Sequence, residues 1–149
     1  MPSDLWSFAT ACYARPGVEA TCLQLQEQGV DVCLLLCALW LEQRGVAAEP
    51  ARLELLCDIS RAWQEEVVTP LRTLRQRWRE AAVQDPALAR LREQIKHTEL
   101  EAEQELLGRL EKVSAHWPPA ASDASGGWLE CLSQDRDALH RLRVAAATL

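Results

Sequence analysis

No apolar stretch of this sequence reaches the roughly 18 residues that a membrane-spanning helix requires. The run Val32–Leu41 is unbroken, but as a helix it would cover only about 15 Å, half the hydrocarbon thickness of a bilayer. Basic charge is also in short supply. Sixteen Lys and Arg stand against 22 Asp and Glu, for a net charge of -6. That balance argues against non-specific binding to nucleic acid, which needs a basic footprint. The opening Met1-Pro-Ser-Asp has no basic n-region and no apolar segment after it. The expectation is therefore a cytoplasmic chain with no membrane partner.

Pairings that would signal chemistry are missing as well. The six cysteines, Cys12, Cys22, Cys33, Cys37, Cys57 and Cys131, form no C-x-x-C pair. Most lie in apolar stretches, so reduced and buried thiols are expected rather than a disulfide framework. Cys33 and Cys37 stand one helical turn apart, but zinc needs four ligands. His97, His116 and His140 lie far downstream, none paired at ligand spacing. Two cysteines filling space is the better reading, and no metal or other cofactor is expected. Glu93, His97 and Glu101 share a helix face without the Glu-x-x-His spacing of di-iron bundles, and read as a solvated acidic face. A reactive thiolate needs an electropositive, partly open setting that these stretches do not offer. No catalytic residues are assigned, and the expectation is a protein that is not an enzyme.

No strand-like alternation and no internal repeat is present either. What remains is helical periodicity. The run from Val32 to Leu41 is apolar on every side, so other elements must enclose it. Asp31 stands at its N-cap and Gly45 at its stop, which predicts a central helix over about 31–44. Before it, Leu5, Phe8, Ala9 and Cys12 mark a helix over about 4–14. Val18, Cys22 and Leu25 mark another over about 17–28.

After it, Pro50 suits a first helical position. A stripe follows through Leu53, Leu56, Ile59 or Ser60, Trp63, Val67, Leu71, Leu74 and Trp78. It stays in phase past Pro70, which predicts a kink there rather than a break. Asp85-Pro86 restarts the chain as N-cap and first helical residue. The next stripe, Leu88, Leu91, Ile95, Thr98, Ala102, Leu106, Leu110, Val113 and Trp117, is narrow. It belongs to a helix of about 86–116, roughly 45 Å long. A compact domain of this size is near 40 Å across. Part of that helix should therefore project, bend or meet another molecule.

Residues 118–127, rich in Pro, Ser and Gly, read as a linker. A last helix is expected over about 128–147, docked loosely because Asp135 falls on its apolar stripe. The fold class is thus all-α: a helical bundle with a central buried apolar helix (about 31–44) and a long antiparallel helical hairpin (about 51–116). The domain reading is a helical domain over 1–117, a linker over 118–127, and a C-terminal helix over 128–149 docking on the same domain.

Some segments carry a resemblance. Tyr13-Ala-x-Pro-Gly-Val18, Asp31-Val-x-Leu-Leu-Leu36 and Trp63-x-x-Glu-Val-Val-x-Pro-Leu-Arg72 resemble a family of short, uncharacterised bacterial proteins known only as a domain of unknown function. It covers about the first two thirds of the chain. It implies an all-helical cytosolic protein and supplies no activity and no site.

Function is argued from the hairpin. Arg72, Arg75 and Arg79 share a helix face with Trp78 between them, while Glu99 and Glu103 lie on the next helix. An antiparallel turn near 83–86 would bring Arg72 opposite residues near 97–99. Intramolecular pairing is then favoured over a phosphate or RNA footprint. The expectation is a protein–protein interaction or adaptor protein, with Arg72, Arg75, Trp78, Arg79, Glu99 and Glu103 as its candidate surface. Its partner would be another protein or a second copy. The first alternative is a nucleic-acid- or ribosome-associated factor using the arginines. The second is a ligand-binding or enzymatic bundle with a pocket at Tyr13, Gln24 and Asp31. Six tryptophans, against one Phe and one Tyr, add a weak pointer. Trp6, Trp40 and Trp63 read as core; Trp78, Trp117 and Trp128 read as edge residues.

Overall fold

The computed structural model describes residues 4–120 and 127–149. Helices follow in order: α1 (Leu5–Tyr13), α2 (Val18–Glu27), α3 (Val32–Gln43), α4 (Pro50–Trp63), a π-helical segment (Gln64–Val68), α5 (Thr69–Arg77), α6 (Arg79–Gln84), α7 (Pro86–Ser114) and α8 (Arg136–Ala147). Among the described residues there is no strand, only an isolated antiparallel pairing of Val46 with Pro119.

The bundle is built around α3. Asp31 caps it by accepting from the Leu34 N–H, and every residue from Cys33 to Leu41 is buried. A helix without a polar face satisfies its backbone internally and needs cover on all sides. That cover comes from α1, α2, α4, α7 and α8, all of which touch it. Gly45, at φ +75°, turns the chain out of α3 in the left-handed region. Trp128 is buried beside this turn and donates its Nε1–H to the Val46 carbonyl at 2.7 Å. Trp117 stacks on Trp128, with ring centroids 6.3 Å apart. Trp128 is therefore core, not edge.

The hairpin forms as the periodicity predicts, with a change of phase in each arm and an unexpected interruption at Trp78 between α5 and α6. Pro70 cannot donate an N–H, and its ring would strike the carbonyl of Glu66 in an α-helix. The π turn just before it widens the backbone, and the Thr69 N–H reaches back to the Gln64 carbonyl. The helix runs on without a break. The extra residue in the turn moves the buried position from Val67 to Val68.

Asp85 caps α7 through the Ala87 and Leu88 N–H groups. The C-terminal half of α7 enters the core with Ala102, Leu106, Leu107 and Leu110. Its N-terminal half has no buried residue before Glu99 and is tied to α5 where Arg92 donates to the Arg75 carbonyl; among the described residues α5 and α6 touch chiefly α7, the π segment and each other. The hairpin is thus anchored at one end and projects at the other. The stripe also shifts by one place at Thr98, which is exposed, while Glu99 is buried.

The C-terminal helix is shorter and more firmly held than its sequence suggests. Asp135 is not on its stripe but is its N-cap, accepting from the Ala138 N–H. The helix begins at Arg136, and Ala138, Leu139, Leu142 and Ala146 are buried. Arg143 grips Glu42 of α3 and Glu130, at 2.8 Å and 2.6 Å. Most of the expected linker, residues 121–126, lies outside the described residues. Among the described residues no helix is long and apolar enough to cross a membrane.

Candidate functional site

A cleft of about 1300 Å³ opens where the hairpin leaves the bundle. Three walls form it. Trp6, Thr10 and Tyr13 of α1, with Glu19 and Cys22 of α2, make the first. The start of α3, from Asp31 to Leu34, meets Cys57, Arg61 and Gln64 of the α4–π stretch to make the second. Arg72 and Arg75 of α5 close the third. Along α7, Lys96, Leu100 and Glu103 follow one helical turn apart toward the opening, with Leu107 buried beneath them and Glu93, His97 and Glu99 alongside. Leu100 is 51% exposed, although it is a large apolar side chain in the middle of this run.

Asp31 fixes the second wall. Besides capping α3, its carboxylate accepts from the Ser60 hydroxyl and from Gln64 Nε2, the latter at 3.1 Å. Gln64 is the first residue of the π segment. The altered turn that accommodates Pro70 is therefore stitched to the start of the central helix, at the rim of the cleft.

The third wall is an ion network. Arg72 donates from Nε to Glu99 at 3.0 Å and from a terminal nitrogen to Glu103 at 3.3 Å. Arg75 donates twice to Glu99, at 2.5 Å and 3.3 Å. Burial pushes the Glu99 carboxyl up, but the hydrogen bonds from Arg75 and Arg72 outweigh it and hold its pKa below the ordinary value. Glu103 has only a share of Arg72, and burial prevails, so its pKa lies above the ordinary value.

The interior of the cleft is acidic in character. Burial first, then Cys22, Glu19 and Glu103, push the Tyr13 phenol up to about 12. Burial, then Asp31 and Glu103, push the Cys33 thiol well up against an opposing pull from Arg72. Cys22 and Cys37 are pushed up to about 12, chiefly by burial. Protonated, buried thiols are poor nucleophiles and poor ligands. All six cysteines are free; Cys12, Cys22, Cys33 and Cys37 are buried and Cys131 is exposed. Among the described residues no three His, Cys, Asp or Glu side chains come together as a metal-binding group.

The residues singled out from sequence divide cleanly. Arg72, Arg75, Glu99 and Glu103 meet as the antiparallel turn requires, and all four line the cleft. Trp78 is half-buried and Arg79 exposed, and neither reaches it. Tyr13 and Asp31 line it too. Gln24 does not: it hydrogen-bonds Asp135 at 3.2 Å and helps seat α8. Glu93 and His97 lie on the outer lip, where His97 pairs with Glu101 at 2.7 Å. Sequence reasoning passed over Glu19 and Leu100. The cue for Leu100 was its place one residue off the core stripe of α7, apolar on what reads as a polar flank.

A family model described as "Protein of unknown function (DUF2390)" matches residues 4–110, and the chain belongs to that family. The match spans the cleft except for Cys131 and Leu132 at its margin. No curated protein and no solved structure matches the chain.

Proposed function

We propose that this member of the DUF2390 family is a helical protein–protein interaction module that receives a segment of its partner in the cleft between bundle and hairpin. The observation that carries this reading is the size and make-up of the cleft. Small-molecule pockets fall at about 300–1,000 Å³ and enclose most of their ligand. This one is larger, at about 1300 Å³, and it is open along α7. A ten-residue helix, about 15 Å long and 10 Å wide, fills on the order of 1200 Å³. Laying an amphipathic helix into a groove between helices is a recurrent mode of recognition. The exposed apolar side chain of Leu100, set among charged neighbours on α7, supports it.

The charges argue against the nucleic-acid alternative. Arg72 and Arg75 are engaged by carboxylates of α7 rather than offered to a phosphate backbone. The thiols at the cleft, pushed up chiefly by burial, favour a binding role there over thiolate chemistry.

Photo-crosslinking in the cells that make the protein tests the proposal. A benzophenone side chain at Leu100, inside the cleft, should yield a discrete adduct with another protein. The same group at Val144, exposed on α8, should not. Filling the cleft with Thr10→Trp should abolish the Leu100 adduct. Equal labelling from both positions, or none from Leu100, overturns the proposal. Light scattering on the purified chain reports whether the captured partner is a second copy.

A further inference from the structure

We infer that the occupant of the cleft is a second copy of this chain, paired antiparallel about a two-fold axis that passes between Glu93 and Lys96 of α7, so that the hairpin end of each copy lies in the cleft of the other. The inference rests on the cleft being a docking site and names what docks there.

The first observation is a line of side chains along α7. Ala89, Glu93, Lys96 and Leu100 follow at i, i+4, i+7 and i+11, so they share one face. Glu93, Lys96 and Leu100 are exposed and line the cleft, and Ala89 is half-buried. Glu93 and Lys96 stand one turn apart with opposite charge, yet among the described residues neither forms an ion pair. A two-fold contact must be complementary to itself. An antiparallel copy of this line, centred between Glu93 and Lys96, meets that condition. Each Glu93 faces the partner's Lys96, and each Leu100 faces the partner's Ala89, large against small. Moving the axis one turn toward Leu100 would instead set Glu93 against the partner's Glu103, like charge on like. The 51% of Leu100 left open in the single chain is the surface that this contact covers.

The second observation is the division of charge. Leaving Glu93 and Lys96 aside, the hairpin beyond Gln76 carries Arg77, Arg79, Arg90 and Arg92 against Glu80 and Asp85. Asp85 is taken up as the cap of α7, and Arg92 donates to the Arg75 carbonyl. Arg77, Arg79 and Arg90 are exposed and among the described residues form no ion pair. The walls that the bundle and the α4–π stretch give the cleft have the opposite sign. Their charged residues are Glu19, Asp31, Glu65 and Arg61, and Arg61 is already paired with Asp58 at 3.4 Å. On the hairpin wall Arg72 and Arg75 are matched by Glu99 and Glu103. Antiparallel pairing therefore brings the basic end of each hairpin to the acidic walls of the other, twice over. Parallel pairing would set basic end on basic end. Val83, next to the hairpin turn, is 79% exposed and goes under cover in the same step.

Light scattering after size exclusion tests this on the full chain at micromolar concentration. The expected mass is that of two chains. Glu93→Lys and Lys96→Glu each set like charges across the axis, and each should weaken self-association at least about tenfold. The double variant Glu93→Lys/Lys96→Glu should restore it. The two single variants, mixed, should pair with each other, since each supplies what the other lacks. Both positions are exposed, and unchanged melting temperatures check folding. A dimer that survives either single reversal, or that the double reversal does not restore, overturns the inference. A monomer whose Leu100 benzophenone captures a different protein also overturns it and leaves the cleft reading standing. A monomer that gives no Leu100 adduct overturns both. An assembly that nuclease dissolves makes Arg77, Arg79 and Arg90 a nucleic-acid surface and overturns the inference as well.

Discussion

Glu99, Asp31 and the cysteines are the side chains whose settings at the hairpin and the cleft can be tested. Glu99 is buried against two arginines, and hydrogen bonds to charged groups contribute about 1.5–3 kcal/mol each way they are lost. Glu99→Gln should lower the unfolding free energy by about 2 kcal/mol in urea titration at neutral pH. The pH dependence follows from the depressed carboxyl of Glu99. Its contribution is fully present above the unfolded carboxyl pKa, about 4.3, and is lost as pH falls through the lower folded value. The Glu99→Gln protein should therefore show a shallower loss of stability in acid than the parent. Asp31 is the second. It serves α3, Ser60 and Gln64 at once, so Asp31→Ala should cost more than the ~1 kcal/mol of a lone N-cap. A loss no greater than that would mean the two side-chain bonds contribute nothing. The cysteines make the third case. Maleimide should label Cys131 first, Cys57 more slowly, and Cys12, Cys22, Cys33 and Cys37 only on unfolding, given their burial. Rapid labelling of Cys33 in the native state would show that its wall of the cleft opens.

Among the elements, the helix that carries Pro70 shows how far periodicity can be trusted. The spacing of apolar residues located most of the helices, though not the interruption at Trp78 that sets α6 apart nor the late start of α8, and Pro and Asp placed the starts of α4 and α7. What it did not contain was the π turn. A proline in mid-helix can be met by a kink, a break or an inserted residue, and these differ by contacts made elsewhere, here between Gln64 and Asp31. One consequence is measurable. Relieving an ordinary interior proline should stabilise a helix by about 3 kcal/mol. Here the π turn has already absorbed the clash, so Pro70→Ala should shift stability by less than about 1 kcal/mol. A gain near the full amount would show that the turn is strained. The same logic explains α8. Asp135 lies at a spacing that fits an apolar stripe, but it stands just before the helix, accepts from the Ala138 N–H and is held by Gln24 and Gln28, which makes it a cap instead.

On the scale of the whole molecule, the sequence announced an enclosed helix and a hairpin too long for the bundle, and both are present. The cleft was harder to read. It is lined from six separate stretches of chain, and which polar side chains turn toward it depends on packing. Tyr13 and Asp31 do; Gln24, just as polar, faces α8. The arginine–glutamate pairing was legible because a two-helix turn fixes register by geometry alone. The uneven division of Arg72 and Arg75 between Glu99 and Glu103 was not, because it depends on side-chain packing.

The single rod of α7 joins two very different surroundings. From Glu99 onward it carries buried residues sunk in the bundle, while from Pro86 to residue 98 none of its residues is buried. Backbone amides along one continuous helix should therefore exchange with deuterium at two distinct rates, slow toward Ser114 and fast toward Pro86, with the step near Glu99. An occupant in the cleft would straddle that step, and its arrival should be visible as slowed exchange spreading outward along the rod.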